Sequence, residues 1–118
     1  MLTNIPNLNL LVLKTDDVER LRDFYASLGF EFVEEQHGSG PRHFSAPMGE
    51  GILEVYPLPE GATVDLTTRL GFVVNDVHEA VESARRATDV VSEPKQTQWG
   101  LRAVVRDPDG RAVELYSE

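Results

Sequence analysis

The chain has 118 residues and no cysteine, with 11 basic side chains against 20 acidic ones and a formal charge of −9. These figures exclude disulfides, thiolate chemistry and cysteine-ligated metal clusters. An acidic surface also repels phosphate backbones, so nucleic acid is not an expected partner. With 41% hydrophobic and 26% charged residues, the composition is that of one soluble globular domain, long enough to bury roughly two-thirds of its surface. No apolar run approaches the ~20 residues of a membrane helix and no basic-then-apolar leader opens the sequence, so a cytoplasmic location is expected.

The first apolar run, LLVL at 10–13, predicts a strand. Asp16 and Asp17 follow as N-cap candidates, and Asp16 with Glu19 three residues on has the spacing of a capping box. Val18, Leu21, Tyr25 and Leu28 then recur at helical spacing up to Gly29, a stop signal. Three short strands are predicted next, FEFVEEQ (30–36), RHFSA (42–46) and GILEVYP (51–57), joined by turns that carry glycine and proline. The second half repeats this order with a strand at 69–74, a helix at 76–87, and strands near 89–93, at 101–106 and at 111–117. Its last two strands are joined by DPDG (107–110), a β-turn sequence.

The repetition extends to individual residues. Asp17 and Val18 return 59 residues later as Asp76 and Val77, and ILEVYP (52–57) returns 60 residues later as AVELYS (112–117). The chain therefore reads as one domain of two βαβββ modules, about 8–58 and about 67–118, an α+β fold with helices over one face of each sheet. Side chains alternate along a strand, so Ile52, Glu54 and Tyr56 share one face and Leu53 and Val55 the other. Ala112, Glu114 and Tyr116 likewise oppose Val113 and Leu115. The apolar faces pack beneath the helices. The Glu–Tyr faces either line a shared cleft or stand in water beside neighbouring cations, because an unpaired buried carboxylate is strongly unfavourable.

The doubled βαβββ order, TDDVERLRDFYASLGF after the first strand and the closing DPDGRAVELYS together resemble the vicinal oxygen chelate superfamily. That superfamily includes glyoxalase I, extradiol dioxygenases, fosfomycin-resistance enzymes and bleomycin-binding proteins. The resemblance spans essentially the whole chain. It implies that each module curls into a half-cup, the two forming a curved mixed sheet with helices outside and a site for a small organic molecule inside. It also implies a homodimer, and four metal-ligand positions that fall here on Leu10, Glu54, Arg69 and Glu114. Both carboxylates are kept, but Leu10 has no donor atom and Arg69 is a cation. A divalent metal would be weakly bound by so incomplete a set, with His43 the first replacement ligand beside Glu54 and Glu114.

His43 itself reads either as a hydrogen-bonded strand histidine or as a ligand or acid–base group. His37 sits at the rim of a turn, within reach of the mouth of the cup, while His78 on the second helix reads as solvated. The glycines around His37 do not make a phosphate cradle, because a proline and a strand follow them where a helix is required. Trp99 is either core or a wall of the cup, and Tyr56 and Tyr116 read as its lining. Two functions follow. In one, a lyase- or isomerase-type enzyme, Glu54 abstracts a proton with His43 as its partner. In the other, a metal-free binding or drug-sequestration protein grips its ligand with Arg69, Tyr56, Trp99, Tyr116 and His37. Pairing of Arg69 with Glu114 would make the glutamates unequal and leave Glu54 the stronger base.

Overall fold

The computed structural model describes residues 5–118. Module one runs β1 (Leu10–Thr15), α1 (Val18–Ser27), β2 (Val33–Glu35), β3 (His43–Met48) and β4 (Gly51–Pro57). Module two runs β5 (Leu70–Val73), α2 (Val77–Arg85), β6 (Val90–Thr97), β7 (Gly100–Arg106) and β8 (Ala112–Ser117). Each module forms its own mixed four-stranded sheet, ordered β1-β4-β3-β2 and β5-β8-β7-β6. First and last strands of a module pair in parallel, the others antiparallel. The fold is the α+β pair of βαβββ modules expected from the repeat, with two sheets in place of one continuous mixed sheet.

Local chemistry sets the element ends, and in three places it differs from the expectation: the capping box of α1, the length of β2 and the length of β6. Asp17, not Asp16, caps α1, its carboxylate accepting from the Arg20 amide at 3.0 Å. The third helical position is therefore Arg20, and Glu19 is free to pair with Arg42 instead of closing a capping box. Asp76 caps α2 in the same way through the Glu79 amide at 3.1 Å. β2 is shorter than residues 30–36 because Phe30 and Phe32 turn inward to pack against the core. β6 is longer than expected and runs through Pro94, which an edge strand tolerates because its outer side needs no amide donor.

One hydrophobic cluster runs through both modules, from Leu13, Leu21, Phe24, Leu53 and Val55 to Val81, Val105, Val113 and Leu115. α1 packs on β1, β3 and β4, α2 on β6, β7 and β8, and the two helices touch. The molecule is a slab of 47 × 41 × 24 Å, the thickness of a helix layer on a sheet layer. Both Glu–Tyr faces therefore lie on the side away from the helices.

The seam between modules is closed by aromatic rings and a buried polar network. Phe72 packs edge-on against Tyr25 at 6.1 Å and Phe30 at 5.1 Å. The Tyr25 hydroxyl donates to Asp107 at 2.7 Å, and Arg111 donates to Asp107 at 3.0 Å and to the Lys14 carbonyl at 2.9 Å. Burial first, and then Asp107, hold the Tyr25 phenol well above its usual range, so it remains a neutral donor. The other oxygen of Asp107 accepts the amides of Asp109, Gly110 and Arg111. The DPDG segment is thus more than a turn: its first carboxylate ties the two modules together.

Candidate functional site

In module two the helix-free face holds a satisfied ion cluster. Gly71 of β5 lies opposite Glu114, and Val104 of β7 flanks it on the other side. Arg69, just before β5, donates to the Glu114 carboxylate, as does Arg102 of β7 with N···O of 3.1 Å. The Tyr116 hydroxyl donates to Glu114 at 2.6 Å and accepts from Arg102 Nε at 3.1 Å. The Tyr116 hydroxyl, followed by Arg69 and Arg102, holds the Glu114 carboxyl down at about 2. So acidic a carboxyl is a poor proton acceptor at neutral pH.

Module one places different chemistry on the same frame. His43 lies across from Glu35 on β2 and is 1% exposed, its ring stacked on Tyr56 at 4.0 Å and 12°. Its Nδ1 meets the Pro41 carbonyl at 3.1 Å, and its Nε2 faces Glu35 at 3.3 Å and Glu54 at 4.0 Å. His37, from the loop after β2, brings its ring to 5.2 Å from that of His43. Burial, then the carboxylates of Glu54 and Glu35, push the Tyr56 phenol up, which suits it to lining the face.

The two clusters are related by the repeat. His43 stands at the position of Arg102, as Glu54 does to Glu114 and Tyr56 to Tyr116, so a nitrogen-bearing side chain, a carboxylate and a phenol recur on the helix-free face of each module. Arg102 was not anticipated from the sequence, although the same 59-residue offset carries His43 onto it. Glu35 was also missed: its position depends on the β2–β3 register, which an irregular seven-residue loop leaves open.

The remaining candidates separate. Leu10 is about half exposed on the edge of module one, and Arg69 occupies the corresponding place in module two, bound to Glu114. The four positions implied by the family resemblance therefore present a hydrocarbon, two carboxylates and a guanidinium already paired with one of them. This donor set does not fit a divalent ion. Nor do Glu54, Glu114 and His43 converge; among the described residues, the cluster of three close donor groups is Glu35, His37 and His43. Trp99 is not core, standing 72% exposed at the tip of the β6–β7 hairpin, and His78 is exposed on α2. A cavity of about 870 Å³ opens on the seam between modules, lined by Leu11, Leu28, Phe30, Met48 and Phe72, with neither glutamate in its wall.

These features define a paired-module α+β protein with a glutamate, a tyrosine and a nitrogen-bearing side chain, His43 or Arg102, on the helix-free face of each module. The model of the Glyoxalase/Bleomycin resistance protein/Dioxygenase superfamily matches residues 7–115, and the chain belongs to that superfamily. Among solved structures it is similar to the hypothetical protein SA1046 from S. aureus, with a TM-score of 0.73 and 20% identity over 98% of this chain and 99% of that one. It is also similar to TnmS3, an antibiotic binding protein from Streptomyces sp. CB03234, with a TM-score of 0.68 and 25% identity over 98% of each chain. A third is a glyoxalase/bleomycin resistance protein/dioxygenase family enzyme from Burkholderia phytofirmans PsJN, with a TM-score of 0.72 and 17% identity over 95% of this chain and 98% of that one. No curated protein matches the sequence. No helix among the described residues is long and apolar enough to cross a membrane.

Proposed function

We propose that the protein binds a small organic molecule on its helix-free face, without a metal at the four superfamily positions. The observation that carries this reading is the state of Glu114, neutralised by Arg69, Arg102 and Tyr116 and so withdrawn from metal binding and proton transfer. The surrounding face suits an aromatic, weakly polar ligand: Tyr56 and Tyr116 are half-buried, and Leu10, Val33, Ile52 and Val73 expose apolar surface around them. The same exposed apolar side chains favour a homodimer that closes the face from the other side. The likeness to an antibiotic binding protein supports binding over turnover.

Trp99, the single tryptophan of the chain, stands in the β6–β7 turn of the sheet that carries Tyr116. Titration with a panel of aromatic antibiotics in the presence of EDTA, followed by Trp99 fluorescence and calorimetry, is expected to give saturable binding. The ligand should be recovered chemically unchanged, and Tyr116→Ala should weaken binding roughly tenfold, the loss of one stacking or capping contact. Absence of saturable binding across the panel would overturn the proposal. So would conversion of a bound compound that is abolished in Glu54→Gln, which is the result expected of an enzyme using Glu54 as base and His43 as its partner.

A further inference from the structure

We propose that Glu35, His37 and His43 form a divalent transition-metal site of the zinc type at the β2–β3 edge of the helix-free face. This site adjoins Glu54 of β4 but takes no ligand from the four superfamily positions, and it stands whether or not the face takes an organic ligand.

The arrangement of donor atoms around His43 carries the argument. The Pro41 carbonyl can only accept, so His43 Nδ1 is the N–H donor at 3.1 Å. Nε2, on the other side of the ring, faces Glu35 at 3.3 Å and Glu54 at 4.0 Å, both carboxylates. Two carboxylates facing one imidazole nitrogen, with the His37 ring beside them, make a site for a cation, and this donor set suits a metal ion as well as a proton. A backbone carbonyl on the far nitrogen is also the outer contact that fixes the ring of a metal-binding histidine and raises its basicity. Stacking on Tyr56 locks the ring further.

The geometry matches the size of such an ion. Bonds of ~2.1 Å in a tetrahedron set neighbouring ligand atoms about 3.4 Å apart. Glu35 Oε1 is 3.3 Å from His43 Nε2 and 3.8 Å from His37 Nε2, and the three donor atoms lie within 4.8 Å of one another. His37 is the outlier and also the most adjustable of the three, with its side chain 74% exposed and Gly38 beside it at φ 58°. Two imidazoles and one carboxylate favour zinc, nickel or cobalt over calcium or magnesium, and three protein ligands leave a coordination position open.

The test uses the full chain, made without an affinity tag and stripped with a chelator. Titration with Co²⁺ is expected to develop the intense visible absorption of a four-coordinate ion, saturating at about one per chain, and calorimetry with Zn²⁺ should give the same stoichiometry. His37→Ala should weaken both by roughly tenfold or more while leaving the melting temperature of the stripped protein unchanged, since the ring is solvent-exposed. His43→Ala should abolish binding, but its buried ring makes it a folding risk, so His37→Ala decides. Glu114→Gln should leave both titrations unchanged. Absence of saturable Co²⁺ and Zn²⁺ binding in the wild type, as expected if His43 is satisfied by a proton alone, would overturn the site. Affinity untouched by His37→Ala, or lost in Glu114→Gln, would overturn it equally.

Discussion

Replacing Asp107 with alanine is expected to cost roughly 3–5 kcal/mol of stability, the largest effect of any single side chain outside the apolar core. Asp107 and Arg111 are both 2% exposed. The substitution leaves the Arg111 charge buried with only Asp109 at 3.1 Å and the Lys14 carbonyl, and it strips the Tyr25 hydroxyl of its acceptor. It also releases three turn amides that Asp107 accepts. Against a total of about 5–15 kcal/mol for a domain of this kind, such a loss brings the protein close to unfolding. Tyr25→Phe should cost less, about 1–2 kcal/mol, because Asp107 keeps its other partners. Combining Asp107→Asn with Arg111→Met should cost less than the sum of the single changes, since both members of the charge pair are then neutral. Urea denaturation at pH 7 measures all of these. A loss below about 1 kcal/mol for Asp107→Ala would show that the modules dock by apolar contact alone.

Glu114→Gln is expected to remove one component of the acid sensitivity of the fold. The Glu114 carboxyl, ordinarily at 4.5, is held at about 2 by Tyr116, Arg69 and Arg102. A carboxyl whose folded value is depressed contributes its full stability above the unfolded value and loses it as pH falls through the folded one. The wild type should therefore exceed the variant by roughly 1–3 kcal/mol at neutral pH, the range for hydrogen bonds to a charged group. That margin should hold down to about pH 4.5 and shrink toward zero as pH approaches about 2. Denaturant titrations of both proteins across this window give the margin directly. A margin that stays constant to the acid limit would mean that Glu114 is not held ionised by its neighbours.

Much of the architecture was legible because the chain writes it twice. The period-2 alternation in GILEVYP and AVELYS placed Glu54 and Glu114 on the faces opposite Leu53, Val55, Val113 and Leu115, and those four side chains are fully buried. The Asp-Val pairs marked both helix starts to within a residue. The resemblance put Arg69 beside the strand of Glu114 and left its partner open between Glu114 and a ligand; in the structure it pairs with Glu114.

What the sequence by itself determined is the order of elements and the side of each strand on which a residue lies, because both follow from local periodicity. Only the tertiary structure decided which charges meet. The β2–β3 register sets Glu35 opposite His43, and no periodicity in residues 36–42 specifies the length of that loop's crossing. The docking of the modules sets Tyr25 and Lys14 against Asp107 and Arg111, contacts 82 and 97 residues apart in the chain. Such long-range contacts arise from packing two apolar faces into one core, and the polar groups caught at the seam then take whatever partners that packing brings within reach.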